Sequence, residues 1–356
     1  EGKYPYVKVE DLNNCEKYQE SSREYSDDNN TTIKAGSIIF PKRGASILNN
    51  KVRIAAKDIQ MDSNMMAITP HTTIVDTEFL YIRILHERLY RIADTSSIPQ
   101  INNKHIIPYK IAVPPLAEQR KIAEVLGVWD EAIEKQARLI EKLALRKRGL
   151  MQRLLSAKLR LPGFSEPWKI HKLQELFTER NETNRTDLPL LSITGDRGVI
   201  LQTESEKRDT SNDDKSKYKR IAKGDIGYNT MRMWQGRSAL SGLEGIVSPA
   251  YTIVVPNTDV DGYYMSVLFK QPRLIYDFWT HSQGLVGDTL NCKYRDFGQV
   301  HICCPPLAEQ KAITEVLTAA DREIELAKEK LERLRRQKRG LMQQLLSGKK
   351  RVKINI

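Results

Sequence analysis

The sequence predicts an α+β chain in which two globular domains are separated by two long helices, the whole arranged as an internal repeat. Three observations carry this expectation. The stretch PPLAEQ occurs at Pro114–Gln119 and again at Pro305–Gln310. Each copy leads into a charged run that ends in nearly the same words, KRGLMQRLLS and then KRGLMQQLLS. Before each run lies a segment of another composition, rich in β-branched residues, aromatics, Gly and Asn.

The first globular segment opens the chain. Its stretch IKAGSIIFPKRGA (Ile33–Ala45) reads as a short strand, a turn, a second strand and a basic loop, and NMMAITP reads as a further strand. VDTEFLYIRIL reads as a helix, and INNKHIIPYKIAV as a closing strand. A shift of 191 residues, which carries Pro114 onto Pro305, then aligns Pro114–Ser156 with Pro305–Ser347 without a gap, and more than half of the paired positions are identical. Two unrelated charged helices would not keep PPLAEQ, EVL and KRGLMQ in one register, so this is a duplication.

Each copy reads as a long helix. Proline suits a first helical position, and Glu118 and Glu309 suit the positive end of the helix dipole. The first copy places Ile133, Gln136, Ile140, Leu143, Lys147, Leu150 and Leu154 at alternating steps of three and four. The second places Ile324, Ala327, Leu331, Leu334, Lys338, Leu341 and Leu345 in the same way, which is a heptad seam. About 40 residues at about 1.5 Å each make a rod of roughly 60 Å. A broad apolar stripe would let each helix pack on its own globular neighbour, whereas two matching seams favour pairing with each other. Lys147 and Lys338 are then either register-setting interruptions or solvated edge positions. Gly149 and Gly340, each costing about 1 kcal/mol inside a helix, suggest close helix approach or a bend. The basic run Arg333–Arg339 reads mainly as a solvated or protein-facing surface, with DNA contact the lesser reading.

The second globular segment follows the plan of the first. IAKGDIGYNTMRMWQGRSA (Ile221–Ala239), SPAYTIVVP, VDGYYMSVLFK and LNCKYRDFGQVHIC answer the four stretches above in order. The globular halves have diverged far more than the helices, which suggests one fold with two different surfaces. Lys42, Arg43, Ser46 and Lys51 in the first, and Asn229, Arg232, Gln235, Arg237, Lys293 and Arg295 in the second, are residue types that bind base edges and phosphates. Polar loops in general would also account for them. Trp234 could stack on a base, but bracing its own loop is the plainer role.

The bulk properties set the class. The 356 residues exceed one ordinary domain, and 40% are hydrophobic, enough for real cores. A net charge of +12 points to a polyanion, nucleic acid before membrane. No run approaches the roughly 18 apolar residues of a membrane span and no leader opens the sequence, so a soluble, cytoplasmic protein is expected. Cys15, Cys292, Cys303 and Cys304 have no framework spacing. The HICC run at His301 invites a metal reading, but ICCPP answers IAVPP at Ile111, so Cys303 and Cys304 read as small hydrophobes. With no P-loop, no glycine-rich cofactor turn and no nuclease-like acidic pair, the chain reads as non-catalytic, with no cofactor or metal of its own.

PPLAEQ…KRGLMQQLLSGK, LPGFSEPW and GIVSPAY closely resemble the specificity subunits of type I restriction–modification systems, and the resemblance spans essentially the whole chain. It implies two target-recognition domains separated by two long helices paired as an antiparallel coiled coil, a pseudo-twofold internal repeat. Residues 1–113 would be the first recognition domain, 114–157 the first spacer helix, 158–304 the second domain, and 305–356 the second helix with a basic tail. Each domain would read one half of a bipartite double-stranded DNA target, and the helices would set the gap. The implied partners are two modification subunits, which bring S-adenosylmethionine and methylate adenine, and restriction subunits that use ATP and Mg to cut. Two other readings stand beside it: the specificity subunit of a fused methylase–nuclease, and a coiled-coil scaffold that binds protein only. One departure from the pattern concerns the first domain. LPLLSIT places Pro189 about 28 residues beyond Leu161, whereas Pro5 in YPYVKVE is four residues in, so the first domain is expected to be N-terminally incomplete by roughly two dozen residues.

Overall fold

The computed structural model of the chain describes residues 2–28, 31–95, 98–195, 197–205, 211–284 and 290–353. It divides into two compact units, Glu1–Leu139 with Ala327–Ile356, and Ile140–Leu326. Each unit is a mixed α/β body that also contains part of both long helices.

In the first unit the strands are β1 (Tyr4–Val7), β2 (Tyr18–Gln19), β3 (Glu24–Ser26), β4 (Ile38–Pro41), β5 (Arg53–Ala55), β6 (Gln60–Met61) and β7 (Met65–Ile68). The helices are α1 (Thr77–Glu87), α2 (Asn103–Ile106) and the first part of α3 (Leu116–Leu154). The main sheet has the order β2-β5-β4-β7, and β3-β1-β6 form a smaller one. All four residues of β4 are buried because both its faces are covered. Ile38 and Phe40 point into the core made with Phe79 and Leu80 of α1, while Ile39 joins Val7, Leu12, Ile59 and Met65 on the other side. Gly36, at φ 84° in the turn before β4, adopts a backbone that a side chain disfavours. Its amide donates to the Ala55 carbonyl at 2.8 Å and so starts the β4–β5 pairing.

The second unit contains β8 (Lys169–Lys172), α4 (Leu173–Leu176), β9 (Phe177–Glu179), β10 (Leu191–Ile193), β11 (Val199–Leu201), β12 (Lys219–Ile221), β13 (Ile226–Asn229), β14 (Ser238–Leu240), β15 (Gly245–Val247) and β16 (Tyr251–Pro256). It continues with α5 (Gly262–Leu268), α6 (Pro272–His281), α7 (Tyr294–Gln299), β17 (His301–Cys304) and the first part of α8 (Leu307–Leu346). The main sheet has the order β14-β13-β16-β9. β13 repeats the role of β4: Gly224 at φ 94° donates to Ser241 at 2.9 Å, and Ile226 and Tyr228 face a core with Phe177, Tyr264, Phe269, Phe278 and Phe297.

The repeated sequence explains itself in these contacts. In each unit the Gln of PPLAEQ is buried and ties the helix start to the loop before a domain helix. Gln119 donates to the carbonyls of Pro114 (2.7 Å) and Ile74 (2.8 Å) and accepts the Asp76 amide (2.8 Å); Asp76 in turn caps α1 by accepting from Phe79. Gln310 donates to Pro305 (2.9 Å) and Asp259 (3.4 Å) and accepts the Asp261 amide (2.9 Å), and Asp261 caps α5 by accepting from Tyr264. The Glu before it is also buried. Glu309 accepts from Arg160 Nε at 2.6 Å, from Arg160 Nη2 at 2.8 Å and from Trp168 Nε1 at 3.2 Å. Glu118 is held in the same bidentate way by Arg351, 191 residues after Arg160. The expectation that these glutamates serve the helix dipole thus leaves out their main partners.

Within each unit the helices run antiparallel, residue numbers falling on one as they rise on the other. In the first, Lys338 donates to Asp130 and Gln136 donates from Nε2 to the Ala327 carbonyl at 3.0 Å. In the second, Lys147 donates to Asp321 and Arg146 to Glu323. The helix ends also enter the domain cores: Ile122, Leu126, Leu345 and Leu346 in the first unit, Leu154, Leu155, Ile313 and Leu317 in the second. The exit from each helix is matched as well. Ala157 (φ 57°) and Gly348 (φ 73°) are left-handed, and the amides two residues on reach back to Arg153 and Gln344.

Two expectations are corrected. The closing strand expected in INNKHIIPYKIAV is not formed: Asn103–Ile106 is a helical turn, and Lys110–Val113 forms no strand. Its counterpart β17 is a strand because β8 pairs with it along four residues, and no such partner lies beside residues 110–113 among the described residues. Gly149 and Gly340 do not mark close approach, since a Cβ on either would meet no atom within 4 Å.

Candidate nucleic-acid interface

The candidate residues collect where the central strand of each sheet runs out. β4 ends at Pro41 and passes into a loop through Lys42 and Arg43 to a helical turn at Ala45–Ile47; β13 ends at Asn229 and passes through Arg232 to a helical turn at Met233–Gln235. The same hydrogen bond holds both loops. Ile101 donates its amide to Lys42 and Cys292 to Thr230, each at 2.8 Å, which draws the start of the small helix α2 or α7 beside the loop.

In the first unit Arg43 is exposed, and Lys42, Ser46 and Lys51 are half-buried. The loop is pinned by the Gly44 amide to Pro99 at 2.8 Å and by a bridge between Arg43 and Gln100. Lys51 is turned aside, donating its ammonium to the Asn13 side chain. In the second unit Arg232, Gln235, Arg237, Lys293 and Arg295 are exposed and Asn229 is half-buried. Trp234 braces the loop by donating from Nε1 to the Met231 carbonyl at 2.9 Å.

Three of these residues converge. Asn229, Arg232 and Arg237 line a polar cleft of about 300 Å³ with Ile193, Thr194, Gly195 and Tyr251. Gln235, Lys293 and Arg295 lie outside it. Asn229 Oδ1 accepts the Met231 amide at 3.0 Å, and the Tyr251 hydroxyl reaches the Ile193 carbonyl at 3.4 Å. Burial pushes the Tyr251 phenol up, against the opposing pull of the Asn229 amide and the Arg232 and Arg237 charges. Thr194, Gly195 and Tyr251 escaped the sequence reading. They come from the β10–β11 turn and the start of β16, and only the β10–β11 pairing (Ile193 opposite Val199) shows where that turn folds.

Leu143, Leu154, Ile324, Leu331 and Leu345 are buried, and Ile133, Ile140, Leu150, Leu334 and Leu341 are half-buried. Leu150 and Leu154 pack into the core of the second unit, and Leu341 and Leu345 into that of the first, so the outer seam positions face a domain as well as a helix. Of the Arg333–Arg339 run, Arg333, Arg336 and Arg339 are exposed, Arg335 pairs with Glu332 at 2.7 Å, and Lys338 is engaged by Asp130.

Cys303 and Cys304 lie in β17, alternately exposed and buried. Burial raises the thiol of Cys292 to about 12 and that of Cys304 to about 11. Among the described residues no three His, Cys, Asp or Glu side chains are grouped to hold a metal ion, and no helix is long and apolar enough to cross a membrane.

Comparison with known proteins agrees with this architecture. The family described as type I restriction modification DNA specificity domain matches residues 1–144. The type I restriction enzyme MjaVIII specificity subunit of Methanocaldococcus jannaschii is 24% identical over an aligned length of 392 residues, covering 99% of this chain and 87% of that protein. The crystal structure of the type I restriction–modification system S subunit from M. genitalium superposes with a TM-score of 0.54 at 17% identity, covering 97% of this chain and 89% of that one. A structure of the type I R-M system, solved to explain complex assembly and conformational transition, gives a TM-score of 0.62 at 17% identity over 96% of this chain and 91% of that one. At that identity the two structures speak for the fold, while the domain match over residues 1–144 and the end-to-end sequence likeness show that the chain is similar to the specificity subunits of type I restriction–modification systems.

Proposed function

We propose that this chain supplies DNA sequence specificity to a type I restriction–modification complex by reading a bipartite target, residues 1–113 taking one half and 158–304 the other. The helical segments 114–157 and 305–356 set the gap between the halves. The chain does no chemistry itself. Two modification subunits bring S-adenosylmethionine and methylate adenine, restriction subunits cleave with ATP and Mg, and the assembly works in the cytoplasm.

The observation that best supports this reading is the repeated loop. Two units carry a basic loop at the same strand end, tied by the same hydrogen bond, yet with unlike side chains: Lys42, Arg43 and Ser46 against Asn229, Arg232 and Gln235. A shared frame with different side chains is what two different half-sites require, since base contacts specify and phosphate contacts position. The experiment is a genome-wide map of methylated adenines in cells carrying the system. Two short defined blocks separated by a fixed undefined gap are expected. Replacing residues 158–304 with the matching segment of another such subunit should change one block only; a change in both would refute the division of labour.

A further inference from the structure

We infer that Arg88, Tyr90 and Arg91 of the first unit grip one phosphate of the DNA backbone beside the loop of residues 42–51, placing that unit on the duplex without reading a base. This rests on the proposed DNA-reading role of the unit.

The chain leaves α1 through a residue type that the bend disfavours. Arg88, at φ 59° and ψ 84°, ends the helix in the left-handed region, where glycine or asparagine is usual, and its amide donates to the Ile84 carbonyl at 3.2 Å. Of the four non-glycine residues with positive φ among the described residues, Asn50 (φ 48°) and Arg88 are both in this corner. They are linked through the helix end, where Asn50 Nδ2 donates to the Leu85 carbonyl at 3.0 Å. Strain of this kind gathers at ligand clamps and switches. In the second unit α5 ends through Phe269 at an ordinary φ of −60°, so the bend belongs to the first unit alone. It carries the chain against the recognition loop. Leu89 is buried with Ile47, Val52 and Ile101, and Gln100 pairs with both Asp94 and Arg43.

Charge identifies the ligand. Arg88 and Arg91 are exposed, Tyr90 is half-buried, and Arg88 Nη1 donates to the Tyr90 hydroxyl at 3.2 Å. Among the described residues neither guanidinium is in an ion pair. Glu87, the carboxylate next in the chain, is taken by Arg83 at 2.7 Å and by the Tyr109 hydroxyl at 2.7 Å. Two full positive charges therefore stand over one neutral oxygen. The hydrogen bond from Arg88 leads in holding the Tyr90 phenol below its ordinary value of 10.0; burial opposes it, and the charges of Arg88 and Arg91 add to the fall. The spot thus favours negative charge, not merely an acceptor. A neutral base edge would gain from hydrogen bonds alone, whereas a phosphate gains from hydrogen bonds and charge together. An acidic protein surface would also gain, but the corner is tied to the loop that faces DNA in this reading.

The test uses the complete complex, purified with the unaltered chain or with R88A/R91A, R88G or R88K. On its target duplex R88A/R91A should bind more weakly, and the slope of log affinity against log salt should shrink by about 0.9, the value of one phosphate contact. A fourfold rise in salt would then cost the unaltered complex about 3.5-fold more affinity than the variant. Affinity for a duplex with a scrambled first half-site should fall by the same factor, and methylated adenines mapped in cells should show every base requirement kept. R88G removes the guanidinium and the strain of the bend together, so it should melt no lower than the unaltered chain and still bind DNA more weakly. R88K, which keeps the charge, should keep the salt slope. Relaxation at any base position would overturn the inference, as would an unchanged affinity and salt slope, or a loss that appears in assembly of the complex without DNA. If the unaltered complex binds its target no better than unrelated DNA, the DNA-reading role fails instead.

Discussion

Removing the Arg160 guanidinium should unfold the second unit at a much lower temperature while leaving the first unit nearly untouched. Glu309 has 1% of its side chain exposed, and both its oxygens are taken: two hydrogen bonds from Arg160, itself only 26% exposed, and one from Trp168. The Arg160 guanidinium also lies 5.8 Å from the Trp168 ring centre, a cation–π distance. R160A would leave a carboxylate buried with the indole as its one remaining partner. Breaking a buried pair in this way costs about 3–5 kcal/mol. For a unit of this size that is a fall in melting midpoint of roughly 6–20 °C. Differential scanning calorimetry is the assay, because it resolves units that melt separately. The double variant R160M/E309L should recover much of the loss, since the penalty comes from the unpaired charge rather than from the missing attraction. R351A should cost less than R160A, because Arg351 is 67% exposed and water can replace it beside Glu118. A loss below about 1 kcal/mol in R160A, the size of a surface pair, would refute the reasoning.

The helix glycines give a prediction of the opposite sign: G149A and G340A should each stabilise the protein by about 0.5–1 kcal/mol, read as a rise in denaturation midpoint, because a methyl group fits at both. Burial alone would raise the Asp11 carboxyl, but the Lys8 amide, the Ser22 hydroxyl and the Arg23 guanidinium outweigh it and hold the group below its ordinary value of 3.8. A depressed carboxyl stabilises the fold above that value and loses the contribution as pH falls through its folded pKa. D11N should therefore lower stability near neutrality by about 1–3 kcal/mol and flatten the acid limb of a stability–pH curve; a limb as steep as that of the unaltered chain would contradict this. Q310A, which takes away the bonds to Pro305, Asp259 and Asp261, should lower the melting midpoint of the second unit, with about 1–3 kcal/mol lost for the backbone groups left unpaired.

The repeated helices were legible because the information is local: a proline start, a heptad seam and a retained closing motif all lie in one stretch. The partners of that motif were not. Asp130 and Asp321 look like any other surface carboxylate until the antiparallel register sets them against Lys338 and Lys147. Arg160 and Arg351 lie beyond the helices they lock. The apolar patterns of ICCPP and IAVPP are alike, yet one is a strand and the other is not, because the pairing of β17 comes from β8, some 130 residues earlier. The cleft shows the same limit. Asn229, Arg232 and Arg237 could be picked by residue type within one loop, but Thr194 and Gly195 reach them from a hairpin more than 30 residues away in the chain.

The most direct test of the account is the length of the helices. Deleting residues 135–141 and 326–332 together takes one heptad from the middle of each helix, keeps the seam in phase, and leaves the Lys147–Asp321 and Lys338–Asp130 pairs able to form. Seven residues at about 1.5 Å shorten a helix by roughly 10 Å, about three base pairs at about 3.4 Å each. A methylated-adenine map of cells carrying this variant should show both half-sites unaltered and the gap between them about three base pairs shorter. An unchanged gap, with the variant folded and active, would contradict the claim that the helices set the spacing.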